Sequence, residues 1–169
     1  MLLPGVRYFS QAPLLWFARE ATQARGWSVV EVDERAPEGV DPFEWMLGQA
    51  ERALAATSAE LTVVVGKSLG SVAATIFDGP AVWLTPLLVR PEIVEALGSA
   101  AAPALLIGSP ADPTWGEGNV PDNSALEVCE LPGLDHSLQV SGDPLTSLDV
   151  LRTVTERVSA FLERVAGSP

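Results

Sequence analysis

Short apolar runs alternate with longer amphipathic stretches from one end of the chain to the other. Leu61-Thr62-Val63-Val64-Val65, Ala81-Val82-Trp83-Leu84 and Ala104-Leu105-Leu106-Ile107-Gly108 are short and almost uniformly apolar. This is the pattern of strands buried on both faces. Trp27 to Val32 and the alternating segment Leu126 to Leu131 read as strands too, and Met1-Leu2-Leu3 begins another. Between them the spacing becomes helical. Leu14, Leu15, Phe17, Ala18 and Ala21 share one face over 13–25, with Gly26 as the stop. Phe43, Met46, Leu47, Ala50 and Leu54 share a face over 42–56, and Pro91 opens a short helix to Leu97. The longest helix runs over 145–165, with Leu148, Leu151, Val154, Val158, Phe161, Leu162 and Val165 in a stripe.

About six strands separated by helices call for an α/β fold: a mostly parallel sheet covered on both faces, a three-layer αβα sandwich. No internal repeat or linker-like run divides the chain, so residues 1–169 read as a single domain. A hydrophobic content of 47% with 19% charged residues is that of a globular protein. The formal net charge of −12 argues against nucleic acid and anionic membrane surfaces as partners. No apolar run approaches the ~20 residues that cross a bilayer. Met1-Leu2-Leu3 gives way at once to Pro4-Gly5 and not to a signal-peptide core, so a cytoplasmic protein is expected. The single cysteine, Cys129, excludes an internal disulfide and reads as a small packing residue.

Chemistry enters at Gly66-Lys67-Ser68-Leu69-Gly70, directly after the valine run. The form is G-x-S-x-G, a serine on a sharp strand-to-helix turn, and 71–77 is short and helix-compatible. Gly66-Lys67-Ser68 also matches the end of a phosphate-binding loop, whose first glycine would stand at position 61. That residue is Leu61, and the intervening residues are a strand, so no row of amides can wrap a phosphate. Lys67 is expected to be a solvated or ion-paired cation beside the turn. A serine hydroxyl needs a base, and the chain has one histidine, His136, in the loop after the last strand. Asp112 leaves the preceding strand at the same sheet edge and is the best-placed group to orient the imidazole. Asp135, adjacent to His136, is the weaker candidate, as are Asp122 and Asp143. The order Ser68, Asp112, His136 is that of α/β-hydrolases.

Three motifs, Gly66 to Gly70, Gly108-Ser109-Pro110-Ala111-Asp112 and Gly133-Leu134-Asp135-His136-Ser137, give the chain a specific resemblance. It resembles compact α/β-hydrolases without a cap, similar to small serine esterases and dienelactone-hydrolase-like proteins. The resemblance implies an oxyanion hole from the Leu69 amide and one in the loop after the first strand, at Val6 or the adjacent Arg7. The interval 85–103 is too short for a lid domain, which implies an open pocket that Tyr8, Phe9, Leu87, Leu88 and Trp115 are placed to line. One His and one Cys cannot form a common zinc site, and no dinucleotide fingerprint follows the first strand, so no metal or cofactor is expected. The reading is therefore a serine hydrolase acting on a small ester or thioester. Its rival is the same fold used as a binding module without turnover.

Overall fold

The computed structural model of the chain describes residues 1–32 and 36–167. Among these residues five parallel strands form one sheet in sequential order: β1 (Leu2–Leu3), β2 (Val64–Lys67), β3 (Ala81–Leu84), β4 (Ala104–Gly108) and β5 (Leu126–Glu130). Four α-helices accompany them, α1 (Pro13–Gln23), α2 (Pro42–Ala55), α3 (Pro91–Ser99) and α4 (Pro144–Ala166), and a 3-10 helix spans Ser68–Thr75. Each α-helix has proline in its first turn, where the missing N–H costs nothing. Asp41 caps α2 by accepting from the Phe43 amide at 2.7 Å, and Asp143 caps α4 through the Thr146 amide at 3.0 Å.

The period-two alternation of the strands divides the core into two layers. Val63, Val65, Val82, Leu84, Leu105 and Ile107 pack with α1 and α4 on one face. Val64, Ala81, Trp83, Ala104 and Leu106 pack with α2, α3 and the 3-10 helix on the other. From β1 the chain moves outward through α1, then returns through α2 to β2 on the opposite side of β1. Winding thus reverses between β1 and β2. In open α/β sheets the crevice at the carboxyl ends of two such strands is the place where ligands bind.

The sixth expected strand, 27–32, is reduced to a bridge between Glu31 and Leu2. The Leu2 amide donates to the Val30 carbonyl at 2.8 Å and the Val32 amide to the Leu2 carbonyl at 3.1 Å. The next residue facing that edge would be Pro4, which has no N–H to extend the ladder. The valine run is displaced as well: β2 begins at Val64 and includes Gly66 and Lys67, whereas Leu61 is exposed. Two residues of the expected helical stripes, Phe17 and Leu148, lie at the surface, so the buried arcs of α1 and α4 are narrower than the apolar pattern. Among the described residues no helix is long and apolar enough to cross a membrane.

Candidate active site

Ser68 directly follows β2 and begins the 3-10 helix with φ of +52°, a left-handed conformation costing roughly 1–3 kcal/mol for a non-glycine residue. The two glycines permit that turn by close approach. A Cβ on Gly70 would stand 2.4 Å from the Leu3 carbonyl oxygen, and one on Gly66 2.7 Å from the Gly70 carbonyl oxygen. Gly70→Ala is therefore expected to cost about 1–3 kcal/mol or more by forcing β1 and the turn apart. Chemical denaturation would measure it as a lower midpoint with an unchanged slope. Ser71, fully buried, donates to the Ser68 carbonyl at 2.7 Å and accepts the Leu87 amide at 3.1 Å, which ties the turn to the loop after β3.

The histidine and aspartate arrive from neighbouring strand ends. His136 Nε2 lies 2.7 Å from Ser68 Oγ, and His136 Nδ1 lies 2.6 Å from Asp112 Oδ2. Because a carboxylate only accepts, Nδ1 carries the proton and Nε2 presents its lone pair to the serine hydroxyl. The Asp112 side chain is fully buried, while that of His136 is 35% exposed, so the imidazole sits at the water boundary above a dry carboxylate. Thr114 completes the anion's shell: its amide donates to Asp112 Oδ1 at 2.9 Å, and its hydroxyl lies 3.0 Å from both carboxylate oxygens and from His136 Nδ1. Ser109, also fully buried, accepts the amides of Ala111 at 3.2 Å and Leu134 at 3.1 Å and so joins the acid loop to the histidine loop. Asp135 does not face the imidazole ring nitrogens. It accepts the Ser137 and Gln139 amides at 2.8 and 3.0 Å and shapes the loop.

Leu69 is in the first turn of the 3-10 helix, where amides have no intrahelical acceptor. The loop after β1 closes on itself through Gly5 and Tyr8, whose amides and carbonyls exchange bonds of 3.2 Å, an arrangement that does not use the Val6 amide. Val6, Arg7 and Leu69 share a cavity of about 280 Å³ with Phe9, Val40 and Trp45. Among the described residues its lining is mainly apolar and includes the Arg7 cation.

The residues expected to line a pocket separate. Tyr8 lines a cavity of about 560 Å³ with Asp135, Ser137 and Leu138 beside the histidine loop, its hydroxyl accepting the Leu14 amide at 3.1 Å, and burial pushes its phenol up to about 12. Leu87 is half-buried beside the core layer of α2 and α3. Trp115 is 2% exposed and packs on Gly108, with its indole N–H bonded to Glu130 at 3.0 Å, so it is a core residue. Lys67 departs furthest from expectation. It is 2% exposed and has no ion-pair partner among the described residues, with Nζ 3.0 Å from the His136 carbonyl oxygen and 4.8 Å from the centre of the Tyr8 ring. Thr114, Ser109 and Ser71 were not among the sequence candidates. Hydroxyl residues in loops carry no spacing signal, although the adjacency of Thr114 to Asp112 in Asp-Pro-Thr is compatible with a local turn.

The chain has the cap-less α/β-hydrolase fold. Between β3 and β4 it carries α3 and no inserted domain. Ferulic-acid-bound Est1E from Butyrivibrio proteoclasticus is similar with a TM-score of 0.67 and 14% identity, over 99% of this chain and 88% of that one. An α/β serine hydrolase without lid from Xanthomonas campestris gives a TM-score of 0.64 at 14% identity, over 99% and 82%. An esterase domain from Rhodothermus marinus gives 0.62 at 19% identity, over 90% and 80%. No protein-family model matches the chain. No curated protein matches it.

Proposed function

We propose that the chain is a serine hydrolase cleaving a small ester or thioester, with Ser68 as nucleophile, His136 as base and Asp112 as its partner. The observation that carries this reading is the unbroken line of short contacts from Ser68 Oγ through the imidazole to a buried carboxylate. It is supported by the esterases among the structural neighbours.

Ser68 Oγ attacks the acyl carbon as its proton passes to His136 Nε2, and Asp112 stabilises the imidazolium. The carbonyl oxygen becomes an oxyanion held by the Leu69 and Val6 amides. Collapse of the tetrahedral species breaks the bond to the leaving alkoxide or thiolate, which takes the proton from His136. Water then attacks the acyl-serine ester, its proton passing to His136 and on to Ser68 Oγ as the acid departs. The cavity beside Leu69 and Val6, slightly below the ~300 Å³ at which drug-sized pockets begin, suits a short acyl group with an apolar tail.

A fluorophosphonate probe is expected to label the protein once, with the adduct on the peptide containing Ser68. A series of p-nitrophenyl esters should show kcat/KM falling as the acyl chain outgrows the cavity. A protein that stays unlabelled and hydrolyses none of the series would be a binding module instead.

A further inference from the structure

Lys67 is a buried cation for which the triad chemistry has no use. Neighbouring strand residues point to opposite faces of a sheet, and by register Lys67 falls on the α1 and α4 face with Val65. Its ammonium therefore bonds to the histidine loop's backbone and is no base for Ser68. Among the described residues no carboxylate comes within ion-pair distance of it. Taking an ammonium out of water without a contacting carboxylate is costly, and the His136 carbonyl, the Tyr8 ring and the more distant charges of Asp112 and Asp135 offset only part of that cost.

Three parts of the site meet on this side chain. Its backbone belongs to the nucleophile strand. Its stem lies under the first loop, since a Cβ on Gly5 would be 3.2 Å from Lys67 Cδ, and its ammonium faces the Tyr8 ring of that loop at 4.8 Å. Its Nζ donates to the His136 carbonyl at 3.0 Å. Apart from the His136 side chain's own contacts with Ser68 and Asp112, the loop's backbone amides of Leu134 and Leu131 bond to Ser109 and Gly108, in the acid loop and β4, and not to the nucleophile strand. We propose that Lys67 is a positioning residue, an internal clamp that holds the His136 loop against the nucleophile strand and the first loop, so that Nε2 stays in register with Ser68 Oγ. The inference rests on the serine-hydrolase reading for its effect on rate, whereas the clamp itself is a statement about the loop.

The groups that face Lys67 are Tyr8 from the first loop, Asp112 from the loop after β4, and Asp135 and His136 from the loop after β5. Burial pushes its ammonium down to about 8, against the pull of Asp112 and then Asp135. Loss of that proton turns a charge-assisted hydrogen bond into a neutral one and removes the cation–π attraction to Tyr8.

The test compares wild type with Lys67→Met on p-nitrophenyl acetate and by amide hydrogen exchange. The variant's kcat is expected to fall about ten- to a hundredfold with little change in KM, the size of effect that follows when a catalytic group shifts by about an ångström. Wild-type kcat should also show an alkaline limb near pH 8 that the variant lacks. Amides of residues 134–138 should exchange about tenfold faster in the variant at pH 7. Unchanged kcat, or unchanged exchange in this loop, overturns the proposal. Exchange is read without turnover, so a wild type inactive on every ester would remove the hydrolase reading while still deciding the clamp. The alkaline limb and the pH dependence of loop exchange in wild type decide it if the variant does not fold.

Discussion

Ser68→Ala is expected to lower kcat on a short p-nitrophenyl ester by about 10⁶-fold, and Asp112→Asn by about 10⁴-fold, with the fold intact in both. The asymmetry follows from what each side chain does. Without Ser68 Oγ no acyl-enzyme forms, and only binding and the oxyanion donors are left to act on water. Without the Asp112 anion the serine stays in place, but nothing obliges His136 to carry its proton on Nδ1. An asparagine amide can donate to Nδ1 across the same 2.6 Å contact and push the proton to Nε2, which then cannot accept from Ser68. Thr114 sharpens the case, because its hydroxyl lies within 3.0 Å of both the carboxylate and the ring and can follow either arrangement. The double variant is expected to be no slower than Ser68→Ala alone, since the groups act as one unit. Steady-state rates with circular dichroism as the folding control would check this. An Asp112→Asn enzyme within tenfold of wild type would remove Asp112 from the assigned role.

What could be read from the sequence depended on whether a residue's position was set by local pattern or by distant contacts. β3 and β4 occupy the expected apolar runs, because a strand buried on both faces leaves no room for polar interruption. Ser68, Asp112 and His136 each follow a strand in sequence, and a parallel sheet brings such positions to one edge. Edge pairing is a different matter. The segment 27–32 is β-rich, but its ladder depends on whether Pro4 can donate, and it cannot. Aromatic residues gave the weakest signal: Trp115 suits a core as well as a pocket, and only the space over Gly108 decides it. Lys67 was misplaced for a general reason. A lysine is expected in water, and nothing adjacent in sequence shows that Tyr8 and the His136 carbonyl will enclose it.

The titration of Lys67 is expected to move stability and activity in opposite directions. Its ammonium has a pKa of 10.5 in an unstructured chain and about 8 in the fold, so between these values the unfolded state binds more protons. Stability from this group therefore rises with pH across that window, is complete above 10.5, and is lost as pH falls through about 8. The displacement corresponds to roughly 3 kcal/mol, an order-of-magnitude figure for what wild type should gain over Lys67→Met between pH 7 and pH 10.5. Tyr8, with its phenol pushed up to about 12, keeps its proton throughout and adds no charge of its own. Urea denaturation of both proteins at several pH values isolates this contribution, because every group they share cancels in the difference. A gap that does not change with pH would mean that Lys67 is hydrated in solution. If the gap changes as expected while wild-type kcat falls over the lower part of the same window, the lost activity cannot be ascribed to unfolding. The chain would be giving up stability at neutral pH to keep an ammonium beside the histidine loop, which is what a positioning role requires.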